Sequence, residues 1–208
     1  MSYSGFKLES ACQSFELALN HDTDLFGDVA AIPVSVLLRS ILDDYLPLAT
    51  SIHTEKARAE FIVAPILAEV RRLRQKQNSL FSGLGFEIDQ ALGLDGSCDF
   101  ILAASPNQLF LSRPVVMIVE AKNDNIKSAF GQRVAEMVAA QILHRRQHEA
   151  PTIIYGAVTT GSIWKFLKLT EKTVFIDQPE YYLDQLDKVL GILLHCVGEA
   201  PANAGAAA

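Results

Sequence analysis

Three short apolar segments in the middle of the chain constrain its fold more than any other feature. The three segments are FEIDQAL, SCDFILAA and PVVMIVEA, and the turn-forming sequences GLDG and SPNQ separate them. Apolar runs of this length between Gly, Pro, Asn and Asp are typical of β-strands. The third segment ends in an unusual way, because Glu120 and Lys122 follow its apolar residues before a polar turn. We therefore expect a buried strand that carries two charges at its end.

Segments with helical periodicity lie on both sides of these strands. Apolar residues recur at helical spacing in residues 33–48, 55–77, 127–147 and 181–197. Pro33 suits the first turn of a helix, whereas Pro65 should kink or split the second helix. Three further strands are predicted after the third helix, in the segments TIIYGAVTT, IWKFLKL and TVFID.

This order of elements predicts an α/β fold with a central mixed sheet flanked by helices. The chain has 208 residues, half of them apolar, which is long enough for one domain with a sizeable core. We expect an N-terminal helical extension (residues 1–50), a sheet-bearing domain (residues 51–198) and a frayed tail of small residues (residues 199–208).

Composition also limits where the protein works and what it binds. No apolar run approaches the roughly 18 residues of a membrane span, and the N-terminus lacks the apolar core of a signal peptide. We therefore expect a soluble, cytoplasmic protein that does not bind membranes. The cysteines are few and far apart, which predicts reduced thiols. A net charge of −6 argues against generic coating of nucleic acid but allows a local basic groove.

The charges at the end of the third segment suggest a metal site. Residues two apart in a strand point to the same face, so Glu120 and Lys122 project together. Asp99 is an isolated acid in the preceding segment, and a hairpin would bring it beside Glu120. Two adjacent carboxylates repel unless a cation lies between them. Their oxygens, the Ala121 carbonyl and waters would suit Mg²⁺ or Mn²⁺. Lys122 would then orient or deprotonate a metal-bound water, as in phosphodiester hydrolysis.

Each of these residues also has an ordinary structural interpretation. Glu-x-Lys at a strand end is commonly a solvated salt bridge, and Asp99 would equally cap a turn or pair with an arginine. The functional interpretation is favoured by the combination of an isolated acid in one strand and acid-x-lysine at the end of the next.

At these residues the chain resembles a known family. CDFIL followed by VEAKN is similar to the core motif of the PD-(D/E)XK nuclease superfamily, which begins with one acid and ends with an acid, any residue and a lysine. The resemblance extends over residues 55–170, and GQRVAEMVAAQ and VTTGSIWKF resemble an uncharacterised bacterial branch. Cys98 stands where the motif nominally has proline. The resemblance implies a restriction-endonuclease-like fold and Mg²⁺-dependent cleavage of nucleic acid, with DNA expected before RNA. A homodimer is among the expected assemblies.

The resemblance also implies an acid on the helix before the sheet. Glu60 is the candidate, and its alternative interpretation is an exposed ion pair with Lys56 one turn earlier. Glu69 is the second choice, because neighbouring arginines favour a salt bridge there.

A glutamine on the helix after the core strand is a further implied site residue. Gln132 is the candidate, with Glu136 one turn later on the same side, and its alternative is a polar residue facing water. Gln141 is less favoured because it falls later in the helix.

Features suited to nucleic-acid contacts are present but scattered. The basic candidates are Lys127, Arg133, Arg145, Arg146, Lys165 and Lys168. Trp164 and Phe166 share one face of a strand, where they would either stack on bases or lie in the core. The alternative function is a catalytically silent nuclease-like module that binds nucleic acid or protein, and a third is a structural subunit of a defence or repair complex.

Overall fold

The computed structural model of the protein describes residues 2–111, 114–147 and 153–198. Its α-helices are α1 (Leu8–Ser14), α2 (Val36–Ile52), α3 (Glu55–Arg58), α4 (Ala64–Leu73), α5 (Phe130–Arg146) and α6 (Leu186–Gly198). Its strands are β1 (Ala18–Asn20), β2 (Ser79–Gly85), β3 (Ser97–Ala103), β4 (Val115–Ala121), β5 (Ile154–Thr159), β6 (Ile163–Thr170), β7 (Thr173–Ile176) and β8 (Tyr181–Tyr182).

These strands form one mixed sheet. Their order is β1-β7-β6-β5-β4-β3-β2, and β8 pairs with β6. Strands β2, β3 and β4 form an antiparallel meander, whereas β5 runs parallel to β4 because α5 crosses over between them. The predicted α/β fold with a mixed sheet flanked by helices is confirmed.

Helices cover both faces of the sheet. One apolar cluster joins α2, α4 and α6 to the sheet, and a second joins α1 and α5 to the opposite face. Strand β4 lies between the two clusters, and all its residues from Val115 to Ala121 are buried. This position explains why its sequence is a continuous apolar run rather than an alternating one. It also means that Glu120, in the same strand, must find its partners inside the protein.

The first fifty residues contribute a strand as well as helices. Strand β1 pairs in parallel with β7, which adds it to one edge of the main sheet. Helix α1 packs on α5, where a Cβ at Gly131 would lie 2.3 Å from backbone atoms of Phe6 and Lys7. Only glycine allows this close approach. The N-terminal region is therefore attached to both the sheet and its covering helix.

The predicted strand at 86–92 is wrong in position. The strand before β3 is β2, whose sequence SLFSGLG contains Gly83 at a φ of +63°. Glycines usually indicate turns, so the sequence analysis did not recognise this segment as a strand. Phe86 and Ile88 instead form a short hairpin with Gly96 and Leu94, and a 3₁₀ turn, Gln90–Leu92, lies between its two arms.

The predicted helix at 55–77 is interrupted, as its proline suggested. A π-helical turn, Ala59–Val63, joins α3 to α4, and Pro65 begins the first turn of α4. Pro65 has no N–H to donate into the preceding turn, so the wider turn accommodates it. Helix α2 begins later than predicted, because Ser35 caps it and Pro33 precedes it. Within the described residues, no helix is long and apolar enough to cross a membrane.

Candidate active site

Asp99 and Glu120 lie opposite each other on neighbouring strands. The register of β3 and β4 pairs Phe100 with Val119, and the next position along this register sets Asp99 against Glu120. Residues directly opposite in an antiparallel pair are neighbours on one face of the sheet. The Asp99 carboxylate also accepts a hydrogen bond of 2.8 Å from the backbone N–H of Ala121. The hairpin expected from the sequence is therefore present.

The Glu120 carboxylate is surrounded by donors. Lys122 Nζ lies 2.7 Å from Oε1, and the amide of Gln132 donates to the same oxygen at 2.9 Å. Arg133 Nη2 donates to the other oxygen, Oε2, at 2.9 Å. Glu120 is almost completely buried, and these bonds replace the water that its carboxylate loses. Gln132 thus contacts Glu120, and does not simply face water.

A second buried acid, Glu136, completes this group on α5. Its Oε2 lies 2.5 Å from Arg133 Nη1, and Gln132 donates to its Oε1 at 3.0 Å. Arg133 and Glu136 are fully buried, so Arg133 is not available to a phosphate backbone. The arginine stem crosses β5 at Gly156, where a Cβ would lie 3.0 Å from its Cδ. We call Asp99, Glu120 and Glu136, with Lys122 and Arg133, the carboxylate cluster.

The carboxylate cluster carries a net negative charge when every group is ionised, because three acids meet two cations. Burial and the charge of Glu120 raise the pKa of Asp99. Burial, opposed by Arg133, raises the pKa of Glu136 to about 7. Burial alone would lower the pKa of Lys122, but the charge and hydrogen bond of Glu120 outweigh it and raise that pKa. Lys122 is therefore an ammonium at neutral pH, suited to charge stabilisation and not to proton abstraction.

A cleft of about 370 Å³ opens beside Asp99. Its lining residues are Glu55, Lys56, Ala59, Glu60, Ala64, Ser82, Gly83, Asp99 and Phe100. Glu60 lies in the π-helical turn and forms an ion pair of 2.9 Å with Lys56. Its side chain is 52% exposed, so this pair is the exposed one considered from the sequence. Glu60 nevertheless lines the same cleft as Asp99, and its role in the site stays a prediction.

Glu55 also lines the cleft, although the sequence did not distinguish it. Its Oε2 lies 3.9 Å from Lys122 Nζ, so Lys122 stands between Glu55 and Glu120. Glu55 is the first residue of α3, after the capping residue Thr54. An acid in the first turn of a helix is ordinary. Only the packing of α3 beside β4 brings Glu55 to the site.

The second-choice residues form other contacts. Glu69 is buried and accepts two hydrogen bonds from Arg72, at 2.6 and 2.7 Å. Gln141 accepts from Arg145 one turn later on α5, at 3.1 Å. Neither residue lines the cleft. These contacts agree with the sequence analysis, which preferred Glu60 to Glu69 and Gln132 to Gln141 as site residues.

The aromatic pair on β6 lies in the core. Trp164 and Phe166 are fully buried, with stacked rings whose centroids are 6.1 Å apart. The indole N–H of Trp164 donates to the backbone oxygen of Gly161. These rings support the sheet and have no surface for a nucleic-acid base.

A divalent cation would find hard oxygen ligands at Asp99, Glu120 and the carbonyl of Ala121. Asp99 uses one carboxylate oxygen for the Ala121 N–H, and its other oxygen has no partner among the described residues. Glu120 Oε1 would first have to exchange its bond to Lys122. In the part of the chain that the structure describes, no three His, Cys, Asp or Glu side chains form a group suited to a metal. The donor chemistry and the net charge fit Mg²⁺ or Mn²⁺, with two carboxylates as the protein ligands.

Comparisons with known proteins give no family assignment. The sequence matches none of the protein families searched, and no curated protein matches it significantly. Functional inference therefore depends on the geometry of the carboxylate cluster and its cleft.

Proposed function

We propose that the protein hydrolyses phosphodiester bonds of nucleic acid, with DNA as the expected substrate, at Asp99, Glu120 and Lys122. One observation carries this proposal: two acids lie opposite each other at the shared end of β3 and β4, with an ammonium at the next outward position. The antiparallel meander, the crossover helix α5 and the parallel strand β5 also fit a restriction-endonuclease-like arrangement. The resemblance of the sequence to PD-(D/E)XK nucleases supports the same function.

Each residue has a distinct role in this proposal. Asp99, Glu120 and the Ala121 carbonyl would hold Mg²⁺ or Mn²⁺, which would lower the pKa of a water and offset charge on the phosphate. Lys122, held as an ammonium, stabilises the negative charge of the transition state. Gln132 orients Glu120 by donating to it. Glu60 is the further candidate acid, because it lines the same cleft as Asp99.

A catalytically silent module is the second candidate, and a specific observation favours it. Lys122 and Arg133 already neutralise the Glu120 carboxylate inside the protein. A carboxylate satisfied in this way can be a structural element that joins β4 to α5. The fold would then bind nucleic acid or a protein partner without cleaving it.

A cleavage assay with matched variants separates the two candidates. Supercoiled plasmid and single-stranded DNA are incubated with the purified protein in Mg²⁺, Mn²⁺ or a chelator. We expect metal-dependent cleavage by the wild type and loss of cleavage in Asp99→Asn and Lys122→Ala. Asp43→Asn is the control, because Asp43 is an exposed acid on α2 outside the cleft. Cleavage that persists in both site variants would show a contaminating nuclease and remove the proposal.

Metal binding is measured separately from turnover. A ligand that binds only the folded state raises the melting temperature by mass action. We expect Mg²⁺ or Mn²⁺ to stabilise the wild type and Lys122→Ala, but not Asp99→Asn. A wild-type melting temperature that ignores both ions would favour the silent module.

A further inference from the structure

Arg58 is a buried cation whose contacts are an amide oxygen, a backbone oxygen and a histidine ring. It is the last residue of α3 and only 8% exposed. Its Nε donates to Asn123 Oδ1 at 3.2 Å, its Nη1 to the backbone oxygen of Thr160 at 3.0 Å, and its Nη2 lies 3.4 Å from His53 Nδ1. Among the described residues no carboxylate forms an ion pair with it. The positive charge of Arg58 is therefore not neutralised by a direct contact.

The other buried arginine near the site provides a contrast. Arg133 forms ion pairs with Glu120 and Glu136, so its burial is compensated by opposite charge. Burying an ion without a partner of opposite charge costs several kcal/mol in general. The three contacts of the guanidinium reduce this cost but leave its charge without a direct counter-ion. A bound anion would supply the missing partner.

The position of Arg58 favours a ligand of the proposed active site. Asn123 directly follows Lys122, and Thr160 directly follows the last residue of β5. The two strands are parallel, and the backbone N–H of Lys122 donates to Thr159 at this end of the pair. Ligands of open α/β sheets commonly bind beyond the carboxyl ends of parallel strands. The guanidinium is thus anchored at the strand end where Lys122 leaves the sheet.

The geometry of the guanidinium suits an oxyanion such as phosphate. Five N–H bonds are available on an arginine, and the three contacts leave two of them on the terminal nitrogens. A planar fork of N–H groups matches two oxygens of a phosphate. Among the described residues, the His53 contact introduces one acid, Asp124, whose Oδ1 lies 4.0 Å from His53 Nε2 and whose side chain is 74% exposed. Solvent screens that charge, so it does not compete strongly with a bound anion.

We propose that Arg58 binds a phosphate group of the nucleic-acid strand beside the carboxylate cluster. This inference rests on the proposed nuclease function for its ligand, but phosphate binding is measurable without cleavage. The site would hold either a terminal phosphate or a backbone phosphate, since both present the same oxygens. Arg58 would then position the strand while Lys122 acts on the reacting group.

Inorganic phosphate is the first probe, because it needs no catalysis. Melting temperatures are compared in phosphate and in chloride of equal ionic strength, with a chelator present. At about five times the dissociation constant we expect an increase of about 2–4 °C for the wild type. Arg58→Gln should lose this increase. Arg72→Gln is the matched control, because Arg72 lies on the adjoining helix and pairs with Glu69 outside the cleft.

The two proposals fail independently in this design. Asp99→Asn should lose the metal response and keep the phosphate response, whereas Arg58→Gln should do the reverse. A wild type that phosphate does not stabilise, or an Arg58→Gln protein that phosphate stabilises equally, overturns the role of Arg58. If Arg58→Gln fails to fold, Arg58→Lys decides: loss of the fork should weaken phosphate binding at least about tenfold, and unchanged affinity overturns the inference.

Oligonucleotides identify the source of the phosphate. A short DNA duplex is compared with and without a 5′-terminal phosphate, using binding in the absence of divalent ions. A preference for the phosphorylated end that disappears in Arg58→Gln assigns a terminal phosphate. Equal binding that the variant weakens assigns a backbone phosphate. Binding that the variant does not change in either case contradicts the inference.

Discussion

Replacing Arg133 tests whether charge pairing holds α5 against the sheet. Arg133→Met keeps an unbranched stem beside Gly156 but removes the guanidinium that joins Glu120 to Glu136. The cluster then contains three acids and one cation, Lys122. Removing one partner of a buried ion pair typically costs about 3–5 kcal/mol, because the remaining charge is unpaired. For a chain of this length that corresponds to a melting temperature lower by roughly 6–20 °C.

The assay is urea unfolding monitored by circular dichroism at neutral pH with a chelator present. Glu136→Gln and the double variant complete a double-mutant cycle. We expect the double variant to be more stable than the sum of the single effects predicts, with a coupling of about 0.5–3 kcal/mol. Lys56→Met is the control, because its pair with Glu60 is exposed, and its unfolding midpoint should not change measurably.

Two results would refute this reasoning. An Arg133→Met protein as stable as the wild type would show that methionine packing replaces the ion pairs without loss. Additive single effects would show that Arg133 and Glu136 do not act together. The same variant also tests the proposed metal site, because its cluster is more negative by one charge. Mg²⁺ should stabilise Arg133→Met more strongly than the wild type, if the variant folds in its absence.

Three further predictions use the same cluster. Without metal, Asp99→Asn should be as stable as the wild type or more stable in thermal melts, because a repelled charge is lost while the amide oxygen still accepts from Ala121. Burial raises the pKa of Glu136 to about 7, so the folded state binds more protons than the unfolded state above about pH 4.5. The free energy of unfolding without metal should therefore fall as the pH rises towards 7, and the Glu136→Gln variant should show a weaker pH dependence in urea titrations. Gly156→Ala should lower the unfolding free energy by about 1–3 kcal/mol in urea titrations, because the new methyl would lie 2.6 Å from the sulfur of Met137.

The central strands were predicted well from the sequence, because strands that are buried on both faces are continuously apolar. β4 is apolar over five consecutive residues, and its acid-x-lysine ending was visible without any structure. The pairing of Asp99 with Glu120 was also expected from the sequence, because strands that follow each other along the chain commonly pair. The two shortest strands of the sheet were not predicted. β1 and β8 have three and two residues, too few for any periodic pattern.

The partners of Glu120 on α5 show a different limit of sequence analysis. Arg133 was a basic candidate for phosphate contacts, because a charged residue on a helix is usually exposed. Its burial depends on Glu120, which lies on another element and needs a cation inside the protein. Arg58 was not singled out at all for the same reason. Neither residue type nor spacing reveals a buried charge when its partners come from distant parts of the chain.

Lys122 links the structural and the catalytic interpretations of the site. Its ammonium lies 2.7 Å from Glu120 and 3.9 Å from Glu55, so it now serves as a counter-ion for acids. One ammonium carries a single positive charge, so it cannot fully neutralise both Glu120 and a substrate phosphate. Arg133 remains on the other oxygen of Glu120, and its burial prevents it from moving to the substrate. Lys122 is half-buried next to Glu55, which lines the cleft, and is therefore the cation of the cluster that can change partners. A nuclease requires this exchange, whereas a silent module would keep Lys122 on Glu120.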